Sequence, residues 1–148
     1  MRKRSVLMTI LSFTAISACV DPAEFNARPF NAELVVGRNY QAVYAGMLQT
    51  MRECFRPGTL FFPSPGATTL DAQLYPDLGY GEISTGITGV VPVTHNSVRI
   101  SKNGVGAKVQ IKTANSIESA QGRDQKWLAY WAKGGQLCPR LGALVPPA

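Results

Sequence analysis

The thiol and imidazole groups in this chain of 148 residues belong to three cysteines, Cys19, Cys54 and Cys138, and one histidine, His95. A thiol can carry a modification, bind a metal, attack an electrophile or pair with a second thiol. Cys19 closes an apolar N-terminal run, whereas the other two cysteines lie far apart in the remainder of the chain. These positions in the chain predict one kind of reaction for Cys19 and another for Cys54 and Cys138.

The first residues have the parts of an export signal. Residues 2–4 are basic, and residues 6–15 form an apolar stretch shorter than the ~20 residues that cross a bilayer. An aliphatic residue, two small residues and a cysteine follow, as Ile16-Ser17-Ala18-Cys19. This motif resembles the lipobox of bacterial lipoproteins, so we expect a cleaved signal peptide over residues 1–18.

The lipobox resemblance implies that Cys19 receives a diacylglyceryl thioether, that the chain is cut before it and that the new amine is acylated, for example with palmitate. Two or three acyl chains attach a protein lastingly to a membrane, whereas one holds it weakly. The alternatives are an ordinary signal peptide cut after Ala18 and an uncleaved membrane anchor. By the sorting rule of Gram-negative lipoproteins, Val20, which is not an aspartate, implies the outer membrane, facing the periplasm.

Removal of the signal peptide lowers the charge of the protein. The whole chain has 15 basic and 9 acidic residues, and three of the basic ones lie in the signal, so twelve against nine remain, a net charge of +3. A charge this small gives little support to nucleic-acid binding. The partners we expect are the membrane, through the N-terminal lipid, and an envelope protein or cell-wall polymer.

Apart from Cys19, the chain has two cysteines, Cys54 and Cys138, and its signal predicts export to an oxidising compartment. These two observations predict a disulfide between them. The alternative is a reactive thiol or a metal-binding pair. Because His95 is the single histidine and neither thiol has another cysteine nearby, the sequence predicts no metal site and no cofactor.

Two segments have the apolar periodicity of helices that bury one side. The first begins at the favourable N-cap residue Asn39 and runs to about Phe55, and the second is predicted over residues 120–133. Tyr44 in the first helix and Trp131 in the second are interpreted as core residues. The alternative is that they stack against a ligand.

Between the two helices the period changes to two, which predicts strands. The strand candidates are residues 59–62, 69–75, 81–91, 96–102 and 105–113, with a short one at 34–36 before the first helix. Asn103-Gly104 favours a type I′ turn, and in that register Arg99 faces Lys108, with Lys112 on the same side. We interpret these cations either as a basic surface for anionic headgroups, cell-wall polymer or an acidic partner, or as a solvated face that discourages aggregation.

No set of residues in the sequence predicts catalysis. His95 lies in a polar connection between strands, and the spacing of Asp71, Asp77 and Glu82 does not hold them on one surface. The sequence therefore predicts no catalytic residues and no enzyme. An enzyme that acts on cell wall or lipid through His95 and a nearby carboxylate is the second of the two alternatives below.

The elements predict an α+β fold: an antiparallel sheet of about four to five strands with two helices packed on one face, stapled by the disulfide. We expect a lipidated N-terminus and flexible tether over residues 19–33, a single domain over 34–142 and a loose tail over 143–148. The layout is similar to that of small, uncharacterised lipoproteins of Gram-negative bacteria: a helix ending in Cys54, a sheet containing residues 75–82 and a Trp-containing helix before Cys138. This resemblance implies no catalytic residues.

These observations predict a lipid-anchored, non-enzymatic protein of the cell envelope that binds or supports another envelope component. The first alternative is a periplasmic module that binds a small ligand or a glycan in a groove between helices and sheet. An enzyme that acts on the cell wall or on lipid is the other.

Overall fold

A computed structural model describes residues 22–55, 68–88, 93–115, 118–139 and 145–147. In chain order, the elements are α1 (Pro22–Ala27), β1 (Ala32–Val36), α2 (Tyr40–Cys54), β2 (Thr68–Tyr75), β3 (Tyr80–Ile87), β4 (Val93–Asn103), β5 (Gly106–Thr113) and α3 (Glu118–Ala132). A short 3₁₀ turn at Pro76–Leu78 joins β2 to β3. The predicted strand at 59–62 lies outside the described residues.

Within the described residues, the five strands form one antiparallel sheet in the order β1-β5-β4-β3-β2. Strands β2 to β5 follow one another as a meander, and β1 pairs with β5. Because side chains alternate along a strand, Ile83, Val98 and Ile111 share one face, and their chain neighbours lie on the other. The predicted α+β fold with an antiparallel sheet is confirmed.

The hydrophobic core lies between the sheet and the two long helices, α2 and α3. Asn39 caps α2 as predicted, since its Oδ1 accepts a hydrogen bond from the backbone N–H of Gln41 at 2.9 Å. The fully buried side chains of the sheet and of α2 are apolar, among them Val43, Met47, Met51, Ile83, Val98, Ile100, Val109 and Ile111. Burial of this apolar surface is what holds the two layers together.

The predicted disulfide is confirmed: Cys54 at the end of α2 is bonded to Cys138, beyond the end of α3. The bond links the ends of the two helices. The Phe55 and Trp131 rings pack edge to face beside it, with centroids 6.1 Å apart.

The prediction of a flexible tether over residues 19–33 is wrong from residue 22 onward. Residues 22–27 form α1, and β1 begins at Ala32. Phe25 in α1 is 0% exposed, so this segment buries apolar surface as a core segment does. Residues 19–21 lie outside the described part of the chain. In the predicted tail, Val145 is exposed.

The predicted turn of the β4–β5 hairpin is wrong by one residue. Asn103 pairs with Gly106, so the two central residues are Gly104 and Val105. Gly104 has a φ of 60°, and Val105 does not have a positive φ, which is the arrangement of a type II′ turn. The register moves with the turn, and Arg99 lies opposite Gln110 instead of Lys108.

No helix in the described residues combines the length and the hydropathy that crossing a bilayer requires.

Candidate binding site on the polar face of the sheet

The sheet face turned away from α2 and α3 is lined by polar side chains, and we call it the polar face. The strand registers arrange it in rows that cross the sheet. The first row is Tyr75, Tyr80, Ser101, Lys108 and Val35; the second is Gln73, Glu82, Arg99, Gln110 and Glu33; the third is Asp71, Ser84, Ser97 and Lys112. Residues far apart in sequence therefore lie side by side on a rigid surface.

Arg99 occupies the centre of the polar face and is fully engaged. Its guanidinium forms an ion pair with Glu82 at 2.6 Å. The same group lies over the ring of Tyr80, 5.2 Å from the centroid, and over that of Phe30 at 5.7 Å. An arginine held by a carboxylate and two aromatic faces is a positioned structural group and not a free cation.

Lys108 is also paired. Its ammonium lies 2.9 Å from Oε2 of Glu33 on the neighbouring edge strand, and the side-chain amide of Gln110 donates to the same carboxylate at 3.2 Å. The hydrogen bond from Lys108 lowers the pKa of Glu33 below its ordinary value. The contact ties β1 to β5 on this face.

Lys112 is buried beneath α1, with 7% of its surface exposed. Its ammonium donates to the carbonyls of Phe25, at 3.3 Å, and Asn26, at 2.9 Å, in the last turn of that helix. It also lies over the rings of Phe25 and Phe30, at 5.4 and 5.0 Å from their centroids. Burial lowers the pKa of Lys112, and the charge on Arg99 lowers it further, whereas Glu82 opposes the shift.

Taken together, Arg99, Lys108 and Lys112 do not present uncompensated positive charge. Two are paired with carboxylates, and the third is covered by α1. This corrects the interpretation of these three residues as a basic surface for anionic ligands. The sequence contained a signal for the cover, since Phe25 and Phe30 are aromatic residues in an otherwise polar segment.

The β2–β3–β4 half of the polar face contains a cleft of about 250 Å³ beside α1. It is lined by Asn26, Asp71, Gln73, Glu82, Ser84, Thr94 and Ser97. These side chains offer carboxylate, amide and hydroxyl groups, which can both accept and donate hydrogen bonds. A polar ligand could therefore be held by several hydrogen bonds.

Among the described residues, no cation pairs with Asp71, one of the two carboxylates of this cleft. Among the described residues its hydrogen-bond donor is the side-chain amide of Gln73, at 3.4 Å, and no lysine or arginine forms an ion pair with it. Since Glu82 is neutralised by Arg99, the cleft keeps the charge of one carboxylate. That charge disfavours anionic ligands.

An aromatic pair borders the cleft. The rings of Tyr75 and Tyr80 lie side by side with centroids 4.9 Å apart and planes tilted by 34°. Both residues are partly exposed, and the Tyr75 hydroxyl donates to the side-chain carbonyl of Gln73. The alternation of Asp71, Gln73 and Tyr75 along β2 is visible in the sequence, but their meeting with Glu82 and Ser84 depends on strand pairing.

The other candidate residues lie elsewhere. Tyr44 and Trp131 are 7% and 4% exposed in the core, and the indole N–H of Trp131 donates to the carbonyl of Leu137 at 2.9 Å, so neither offers a ligand platform.

His95 lies within β4, where its carbonyl accepts from the N–H of Ala114. Cys19 and the lipobox lie outside the described residues. Within the described ranges, no group of three or more His, Cys, Asp or Glu side chains could hold a metal ion.

Comparison of the chain with protein-family models, with curated proteins and with solved structures finds no match.

Proposed function

We propose that the chain is a lipid-anchored protein of the bacterial cell envelope that binds another envelope component through the polar face, without chemistry of its own. The support comes from the lipobox at residues 16–19, from the disulfide, which suits an oxidising compartment, and from the polar cleft. The lipid on Cys19 and the outer-membrane location are parts of this proposal.

The observation that carries the proposal is the position of α1, which begins at Pro22, three residues after Cys19. Three residues span at most about 11 Å when fully extended. A lipid on Cys19 would therefore hold the folded domain directly at the membrane surface. A domain held this closely suits contact with a component near the bilayer.

Asn26 in α1 links this anchor to the cleft. It lies seven residues after Cys19 and contributes to the lining of the cleft beside Asp71 and Ser97. The carbonyl of Asn26 is held by Lys112, so α1 is fixed to the sheet. Helix α1 and the proposed binding surface thus belong to one packed unit.

Two experiments in bacteria test the proposal. Metabolic labelling with an alkyne analogue of palmitate should mark the wild-type protein and leave Cys19→Ser unlabelled, and the labelled protein should sediment with outer-membrane vesicles. A photo-crosslinking amino acid in place of Gln73, in the cleft, should form adducts in intact cells. The same amino acid in place of Gln49, on the exposed side of α2, serves as the matched control.

Absence of label on wild-type protein would overturn the lipid anchor. Equal adduct formation from positions 73 and 49, or none from either, would overturn the assignment of binding to the polar face. Adducts confined to position 73 would support it.

A further inference from the structure

We infer that the component bound in the cleft is a neutral oligosaccharide chain, which crosses from the Asp71–Ser84–Ser97 row to the Tyr75–Tyr80 pair. This inference rests on the proposed function, because it names the chemical class of the component. It depends on three properties of the site: its hydrogen-bonding groups, its aromatic border and its length.

The hydrogen-bonding groups match those of a sugar. Sugar hydroxyls donate and accept, and the cleft presents a carboxylate acceptor in Asp71, the amide of Gln73 and the hydroxyls of Ser84 and Ser97. Hydrogen bonds to an ionised acceptor are about twice as strong as neutral ones, so Asp71 would carry much of the recognition.

The aromatic border supplies the second half of saccharide recognition. The faces of aromatic rings carry partial negative charge, and the C–H groups of a sugar ring carry partial positive charge. Tyr75 offers such a face beside the cleft and is held by its hydrogen bond to Gln73, whereas the ring of Tyr80 is contacted by Tyr75 and by the Arg99 guanidinium. An apolar ring surface next to convergent polar groups favours a sugar over an ion or a peptide backbone.

The length of the site favours a chain over a single sugar. Asp71 and Tyr75 are four residues apart on β2, a separation of about 13 Å along an extended strand. One sugar ring can occupy the cleft while the next lies over Tyr75. The carboxylate of Asp71, which forms no ion pair with a described residue, disfavours acidic saccharides and anionic lipid headgroups at the same place.

Titration of the purified, lipidated protein with defined trisaccharides tests this inference. The detergent should be a polyoxyethylene, because the headgroup of a maltoside would compete for the site. The neutral probes are tri-N-acetylchitotriose and maltotriose, and trigalacturonate is the acidic probe. Binding is read from the amide chemical shifts of Asp71, Ser84 and Ser97, because the indoles of Trp127 and Trp131 lie across the sheet in the core and would report poorly.

We expect at least one neutral trisaccharide to shift these amides with a dissociation constant on the order of 1 mM. Asp71→Asn should weaken binding by on the order of tenfold, because a charged acceptor is lost. Asp77→Asn, an exposed aspartate in the turn after β2 and outside the cleft, should leave it unchanged. Tyr75→Leu should also weaken binding, with its thermal unfolding curve recorded to show that it folds.

Absence of shifts with both neutral probes at about 10 mM would overturn the inference. So would tighter binding of trigalacturonate, or equal affinity of Asp71→Asn and wild type. Because the titration uses purified protein, its failure leaves the lipid labelling of Cys19 and the crosslinking from position 73 as separate results.

Discussion

At the scale of single residues, Lys112 shows how a charge can be part of the fold. Its ammonium holds two carbonyls at the end of α1, and its stem lies beside Phe25 and Phe30. Carbonyls at the end of a helix lack partners within the helix, so a lysine can serve as their donor. Lys112 thereby attaches α1 to the sheet.

Substitution of Lys112 by alanine should lower the free energy of unfolding by about 2 kcal/mol, since charge-assisted hydrogen bonds and packing against two rings are lost. Urea denaturation followed by circular dichroism measures the change. Lys108→Ala is the matched control and should cost less than about 1 kcal/mol, because its ion pair with Glu33 is substantially exposed. Equal losses in the two variants would contradict the role assigned to Lys112.

Glu33 provides a test of electrostatics by pH. The hydrogen bond from Lys108 lowers its folded-state pKa, so the contact contributes stability above the ordinary value of 4.5 and loses it as the pH falls through the lowered pKa. An NMR titration of the Glu33 carboxyl should show its midpoint rising toward 4.5 in Lys108→Met. Lys102→Met, on the opposite face of the sheet, should not move it. An unmoved midpoint in Lys108→Met would argue against the pairing.

At the scale of elements, α2 packs closely on the sheet because Gly81 in β3 has no side chain. A Cβ on Gly81 would lie 2.6 and 2.9 Å from ring carbons of Tyr44 and 3.0 Å from a methyl group of Leu74. These distances are shorter than normal van der Waals contact. The ring of Tyr44 thus packs directly on the backbone of β3.

Gly81→Ala should therefore destabilise the protein by about 1–3 kcal/mol, as overpacking of a core does. Gly122→Ala in α3 makes the same chemical change where nothing lies within 4 Å of the new Cβ, and should stabilise by about 0.5–1 kcal/mol through helix propensity. Thermal and urea unfolding of the two variants compare them. A loss in Gly122→Ala as large as that in Gly81→Ala would contradict the assignment of the Gly81 effect to packing.

At the scale of the whole molecule, the disulfide closes a loop that contains most of the sheet and α3. Cys54 and Cys138 are 84 residues apart, for which the chain-entropy model gives about 4–5 kcal/mol. This is close to the net stability of many small domains. Stability of the fold is therefore coupled to the redox state of the compartment.

Reduction with dithiothreitol breaks the disulfide without removing either sulfur atom. It should lower the urea midpoint of unfolding sharply, by the equivalent of about 4–5 kcal/mol. Cys19→Ser, which leaves the bonded pair intact, should unfold like the wild-type protein under oxidising conditions. A midpoint insensitive to reduction would mean that the core alone supports the fold.

The sequence allowed the two long helices, most strands and the disulfide to be predicted, because each depends on local signals. The N-cap Asn39, the alternation along residues 69–75 and the even pair of cysteines are readable without coordinates. The N-terminal segment 22–33 was missed, because a six-residue helix has too few turns to show periodicity. This segment is ordered by the packing of Phe25 and by the hydrogen bond from Lys112 to the carbonyl of Asn26, and these two residues are 86 positions apart in sequence.

The sequence by itself determined the order and type of most elements and the lipobox-like motif that ends at Cys19. What only the tertiary structure decided is the surface. A shift of the hairpin turn by one residue placed Arg99 opposite Gln110, the pairing of β3 with β4 placed it opposite Glu82, and the pairing of β2 with β3 brought Asp71 and Ser84 to one cleft. The physical reason is that secondary structure depends on neighbours in sequence, whereas charge compensation and binding surfaces depend on strand register, which is set by turns and long-range packing.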